Sequence, residues 1–401
     1  MRTGIATVPL DWGRCPRWLF ERMTRLGRGI CIAIVEEFGP EELLRRLSNP
    51  AWFQSLGSVM GFDWNSSGLT VTTMGAIKEA VRGMETDLGF YVCGGKRVSR
   101  KTPEEAIGWG QKLGWEEEKI GKLVYASKMA AKVDSALVQD GFSIYAHNLL
   151  FTASGRWAVI QQGMNTNLQK ARRYHWLSEG VNDFCENPHS GIASDARLKP
   201  LNLTAKESQE NKTIAADLAK LEPDAFLKDF QKLAGADIKQ MPKVASSGGS
   251  SLGMTRGLKH QERQGRLPGF VDMELNNVEF HWHPVAKEKF DLKRLKKTIA
   301  KAHYAAPEDF SQLLGAEGVG PKTIRALSLV AEIVYGAKPS YEDPARYTFA
   351  VGGKDGTPFP VDRATYDKTL AAIERGIIAS KSGAKEIDSA RRRLETITYP
   401  F

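Results

Sequence analysis

The chain has 401 residues, 42% of them hydrophobic and 26% charged. That length suits two or three domains, and that balance belongs to a globular protein rather than a disordered or fibrous one. Lys and Arg number 56 against 47 Asp and Glu, a net charge of +9, which favours polyanionic partners over acidic ones. Cys15, Cys31, Cys93 and Cys185 are scattered and form no C-x-x-C pair, so neither a zinc ribbon nor a disulfide framework is expected. The apolar run at 30–35 is too short to span a bilayer, and Met1-Arg2 opens no signal-peptide core, so no membrane partner and a cytoplasmic location are expected.

In chain order, an extended start at 4–10 leads into a helix at 16–38, where Leu19, Met23, Leu26, Ile30, Ile34 and Val35 recur at helical spacing. Short helices are expected at 40–47 and 50–60, a polar turn at 61–68 and a helix at 73–82. Residues 88–93 read as a strand running into the basic glycine loop Gly94-Gly95-Lys96-Arg97. Thr102-Pro103-Glu104-Glu105 has the spacing of a capped helix start, and a long helix is expected at 116–137. The period then changes: 142–151 and 157–162 are aromatic and β-branched and flank Thr152-Ala153-Ser154-Gly155-Arg156, a β-hairpin signal. Asn165 or Thr166 is read as the cap of a helix running through Trp176. Residues 204–233 are expected to be helical, and 243–265, rich in Ser and Gly, to be a linker or loop. A strand at 277–282, a basic helix at 286–304 and helices at 363–380 and 385–396 complete the pass.

The segment Leu314-Gly315-Ala316-Glu317-Gly318-Val319-Gly320-Pro321-Lys322-Thr323 reads as helix, tight glycine turn, helix. Gly318 and Gly320 around Val319 let the backbone approach a phosphate, and Pro321 fits a first helical turn. The N–H groups of that turn and the helix dipole favour an anion, beside Lys322 and Thr323. Just upstream, Lys293, Arg294, Lys296 and Lys297 crowd the outer face of a helix whose Leu292, Leu295 and Ile299 face inward. Such a face makes duplex-backbone contacts that carry little sequence information. The expected partner is DNA; RNA offers the same phosphate chemistry and stays open.

Three sets of residues could carry chemistry. Asp134 and Asp140 flank the start of the β-hairpin, and Gln161 and Gln162 lie at its far end. Hard oxygen ligands so grouped suit Mg²⁺ or Mn²⁺ held against a scissile phosphate, with Asp134 and Asp140 as ligands and Gln161 or Gln162 completing a catalytic site. Arg172 and Arg173 suit phosphate, and Tyr174, His175 and Trp176 suit stacking on a base. Glu279, His281 and His283 alternate on one strand face and could hold a transition metal.

The turn at 318–323 resembles the helix-hairpin-helix of DNA-repair proteins and is similar to that of endonuclease-III-like base-excision enzymes. That likeness implies Lys322 as a Schiff-base lysine, with Asp343 or Asp362 assisting; Val361-Asp362-Arg363 is a partial echo of that family's aspartate context. Nearly the whole chain, through Pro16-Arg17-Trp18-Leu19-Phe20-Glu21-Arg22-Met23, Gly61-Phe62-Asp63-Trp64-Asn65, Val133-Asp134-Ser135-Ala136, Gln161-Gln162-Gly163-Met164-Asn165 and Ala171-Arg172-Arg173-Tyr174-His175-Trp176, resembles the archaeal and bacterial family described as domain of unknown function 763. The resulting expectation has three parts. A mixed α/β (α+β) catalytic domain with a small sheet covers 1–203, a helical connector with the Ser/Gly loop covers 204–270, and an all-α DNA-binding domain covers 271–401 with its hairpin at 307–336. The expected function is action on DNA in repair or recombination, foremost as a metal-dependent nuclease. The alternatives are a Lys322 glycosylase/lyase and a non-catalytic DNA-binding scaffold.

Overall fold

The computed structural model describes residues 15–62, 68–96, 101–194, 198–235 and 290–347, with single positions at 375, 388 and 392. The expected extended start, most of the expected polar turn, the Ser/Gly segment, the expected strand with Glu279, His281 and His283, Asp362 and all but those single positions of the two last expected helices fall outside the described residues.

Four helices come first: α1 (Arg17–Phe38), α2 (Pro40–Ser48), α3 (Pro50–Val59) and α4 (Gly68–Val81). A single turn, α5 (Glu85–Leu88), leads into β1 (Phe90–Lys96), then α6 (Thr102–Lys112), α7 (Glu117–Ala136) and the short β2 (Val138–Gln139). The strands β3 (Ser143–Thr152), β4 (Trp157–Asn165), β5 (Lys170–Leu177) and β6 (His189–Ala193) follow as a meander. After β7 (Leu201–Asn202) come α8 (Gln209–Ala219), α9 (Pro223–Gly235), α10 (Leu292–Ala305), α11 (Phe310–Gly315) and α12 (Pro321–Tyr335). None of the described helices is long and apolar enough to cross a membrane.

The main sheet has the order β1-β3-β4-β5-β6, antiparallel at every step, and β2 pairs with β7 beside it. Strand side chains alternate between faces, and here helices cover both. Phe90, Val92, Leu150, Ala158 and Ile160 pack with α1–α4. Tyr91, Cys93, Leu149, Phe151, Val159 and Trp176 share a second core with α6, α7 and the C-terminal helices, from Leu218 to Ile333. The mixed α/β class is therefore observed. The sequence boundary expected at 203/204 falls inside this second core, because the helices after it complete the cover of the same sheet face.

One segment differs from its expected form. Residues 170–177 are the buried strand β5, paired on both sides, not a helix capped at Asn165 or Thr166. The arginines, histidine and tyrosine of this segment break any apolar alternation, yet they are buried on both faces because each finds polar partners inside. Helices α11 and α12 flank the glycine turn, and α10 precedes them. Asp291 caps α10 through Arg294 N–H at 3.0 Å, Asp309 caps α11 through Gln312 N–H at 2.7 Å, and Pro321 opens α12. Gly318 takes the left-handed backbone (φ +83°) that the turn between them needs.

Candidate active site

Ser127 and Asp134 lie seven residues apart on α7, two helical turns, so both face the sheet. Opposite them, His147 of β3 and Gln161 of β4 are direct cross-strand partners, and Tyr174 of β5 continues the row. A chain of hydrogen bonds joins the groups. The Gln161 amide nitrogen donates to Asp134, which turns its carbonyl oxygen toward His147 Nδ1 at 3.0 Å. Nδ1 must then carry the proton, which leaves the Nε2 lone pair for Ser127 Oγ, 2.8 Å away. Burial holds the His147 imidazole below its usual basicity, against the opposing pulls of Gln161 and Asp134, so it is neutral at pH 7. Asp134 is fully buried and also accepts from Trp176 Nε1 at 2.9 Å and bonds His189 Nε2 at 2.5 Å.

The backbone behind His147 is fixed by close approach. Gly94 of β1 has φ +85°, and a Cβ there would lie 2.3 Å from the His147 carbonyl oxygen. Only glycine fits.

Asp140 belongs to a different network. It accepts from Tyr174 Oη at 2.6 Å, Phe142 N–H at 2.9 Å and Arg172 at 2.9 Å. Arg172 also grips Asp343 at 2.8 and 3.1 Å, and Asp343 accepts from the backbone of Leu198 and Ala345. Burial works against the Arg172 charge, but Asp140 and Asp343 outweigh it and hold the guanidinium above its usual value. Burial likewise lifts Asp140, opposed by Arg172, Tyr174 and the Phe142 N–H. On the other sheet face Arg173 bonds Gln54, Thr70, the Pro50 carbonyl and His175, and burial alone brings it down to about 9.

Beside the relay opens a cleft of about 590 Å³. Its lining includes Ser127, His147, Gln161, Asp140 and Lys128, the α6 start at Thr102 and Pro103, and Pro321 and Arg325 of α12. The Thr102 hydroxyl is buried and has no hydrogen-bond partner among the described residues. Gln139 stitches the seam: its amide donates to the Ala136 and Pro321 carbonyls at 2.7 and 2.9 Å and accepts from Arg325. Lys132 donates to the Leu314 and Ala316 carbonyls at 2.6 and 2.9 Å, closing the end of α11. Burial, then the neighbouring Lys128 charge, lowers its basicity.

The anticipated residues thus separate. Asp134 and Gln161 meet, whereas Gln162 points to the other face and donates to Tyr145 Oη at 2.8 Å. Asp134 and Asp140 do not share a site, and protein donors occupy both carboxylates. Among the described residues no three His, Cys, Asp or Glu side chains are grouped as a metal site, and this donor set does not fit Mg²⁺ or Mn²⁺. Arg172 and Arg173, expected on phosphate, are 1% and 3% exposed inside the sheet because carboxylates and amides there compensate them. Asp343 is held by Arg172, and Lys322 is exposed on α12 rather than in the apolar surroundings that carbonyl capture needs. Glycines 318 and 320, Lys322, Lys293, Arg294, Lys296 and Lys297 lie at the surface or partly exposed, while Val319 and Thr323 turn inward.

Ser127 and His147 were not singled out from the sequence. The available signals were the seven-residue spacing of Ser127 from Asp134 and a histidine on the strand face that also carries Leu149 and Phe151.

No curated protein and no solved structure matches the chain. The model of the family described as Protein of unknown function (DUF763) matches residues 4–361, and the protein belongs to that family.

Proposed function

We propose that the protein binds DNA and acts on its phosphodiester backbone in repair or recombination. The observation that carries this reading is a row of exposed cations on α10, of which Lys296 pairs with Asp224 and Lys301 with Glu317, beside a glycine turn whose far end lines the cleft. Lys293, Arg294, Lys296, Lys297 and Lys301 are exposed along α10. Lys301 reaches Glu317 of the glycine turn at 2.5 Å, so the acid in that turn is neutralised within the protein. The turn ends at Pro321, which lines the cleft together with Arg325 and Lys128. A backbone laid along α10 would meet the first turn of α12, where helix polarity favours phosphate, and continue to the cleft mouth.

The test is fluorescence anisotropy of the full chain with duplex, nicked and single-stranded oligonucleotides over a potassium chloride series. Affinity should fall steeply with salt, and Lys293→Ala with Lys297→Ala should weaken it on every sequence alike. Absence of binding at low salt, or binding indifferent to those lysines, would remove the reading.

A further inference from the structure

We propose that Ser127 and His147 form a metal-independent nucleophile–base pair directed at a phosphodiester in the cleft. This deepens the DNA-backbone reading and rests on it for the identity of the substrate.

The contrast with a second serine on the same helix carries the argument. Ser135 makes the usual back-bond of a helical serine, to the Ala131 carbonyl four residues earlier at 2.8 Å. Ser127 instead gives its hydroxyl hydrogen to His147 Nε2 at 2.8 Å. The tautomer that this needs is dictated by Asp134 through the Gln161 amide. A nucleophile bonded to a base that a third group orients is the geometry of an activated serine. Here a glutamine stands between carboxylate and imidazole. The pair is 3% and 5% exposed and lines the wall of the cleft.

The surroundings select an anionic ester over an acyl substrate. Lys128 and Arg325 flank the opening, and the first turns of α6 and α12 both reach the lining, at Thr102, Pro103 and Pro321. Two positive helix ends and two cations suit a phosphoryl group and its developing charge.

The step balances without a cofactor. Ser127 Oγ forms a bond to phosphorus as one bridging phosphorus–oxygen bond to sugar breaks. The serine proton passes to His147 Nε2 and from there to the departing oxygen. Water, deprotonated by the same nitrogen, then attacks the phosphoserine ester and restores the serine. The net reaction is hydrolysis.

The experiment uses the full chain in EDTA with two probes, a fluorescent nicked oligonucleotide and bis(p-nitrophenyl) phosphate. We expect p-nitrophenolate release and an SDS-resistant protein–DNA adduct that maps to the peptide holding Ser127. Ser127→Ala should reduce both by about a thousandfold or more, and His147→Gln by about a hundredfold, with DNA affinity within about twofold of the parent. Diisopropyl fluorophosphate on the unaltered protein should add its phosphoryl mass to Ser127, a readout free of any folding defect in a variant. The pair is overturned if intact, DNA-binding protein cleaves neither probe in EDTA and Ser127 stays unmodified, if cleavage survives Ser127→Ala, or if Ser127 turns over p-nitrophenyl acetate and no phosphodiester. Ser127-dependent cleavage of the small diester by protein that binds no DNA would sustain the pair and remove the DNA reading.

Discussion

Two buried polar networks lie side by side on one face of the sheet, and they are built to opposite ends. The Asp140–Arg172–Asp343 cluster closes on itself: one guanidinium between two carboxylates, with Tyr174 and three backbone N–H groups filling the remaining lone pairs. The Asp134 relay stays open. Its carboxylate meets neutral donors and His189, and the chain runs outward through Gln161 and His147 to a hydroxyl at a cleft. Buried polar groups of similar composition therefore differ in direction: a charge-compensated cluster ties elements together, and a directed chain leads from a carboxylate to a hydroxyl on a cleft wall. The long-range reach of the first bears this out, since Asp343 lies 171 residues beyond Arg172 in the chain.

Removing the centre of the closed cluster tests the contrast most severely. Arg172→Met leaves two buried carboxylates without their counter-charge, and urea unfolding should record a loss of about 3–5 kcal/mol. A loss below 1 kcal/mol would mean that the cluster holds little. Gly94→Ala strikes the open relay instead. Its Cβ would overlap the His147 carbonyl and take a left-handed backbone, so about 2–5 kcal/mol should be lost, and cleavage of bis(p-nitrophenyl) phosphate should drop further than the melting temperature alone explains. An unchanged rate would uncouple β1 from the relay.

Acid sharpens the comparison by a smaller amount. Burial depresses the basicity of His147, and burial with the Arg173 charge depresses that of His175. Below pH 6.5 the unfolded chain takes up these protons and the native protein does not, so stability is full above that pH and falls as pH drops toward the depressed native values. Each such histidine contributes a slope of up to about 1.4 kcal/mol per pH unit. In His147→Gln, melting followed between pH 7 and 5 should be flatter by one histidine's share; a curve parallel to the parent would show that His147 titrates normally. The surface lysines give the smallest change in stability. Lys297→Ala should leave unfolding within about 0.5 kcal/mol yet lower the salt slope of DNA affinity by about 0.9. An unaltered slope would detach α10 from the phosphate path.

Helical stripes and turn chemistry made much of the scaffold legible. The spacing of Met23, Ile30 and Ile34 marks α1 to within a residue of its start, and the aromatic runs about Gly155 mark the β3–β4 hairpin. The site was half legible. Asp134 and Gln161 carried a visible polar signal, but their true neighbours come from non-local pairing: His147 meets Gln161 through strand register, and Ser127 meets His147 only when α7 lies across the sheet. β5 was opaque for a related reason. A central strand buried on both faces needs no alternation, and its polar side chains announce burial only once their distant partners, Asp343 and Gln54, are known.

Those two faces of β5 also bear on how the strand finds its place. Arg172 and Arg173 are chemically identical neighbours, so local sequence offers no preference between them. A slip of one residue would swap the faces they occupy. Slipped one way, Arg173 would meet Asp140 and Asp343 while Arg172 took the place of Ala171; slipped the other way, Arg172 would enter the Gln54 and Thr70 pocket, which accepts a cation through neutral oxygens. Tyr174 and Trp176 would turn with them, away from Asp140 and Asp134. The two carboxylates on a single side make the slipped sheet a poorer match at four positions at once. The asymmetry of partners, rather than any property of the arginines, acts as an alignment key for the meander.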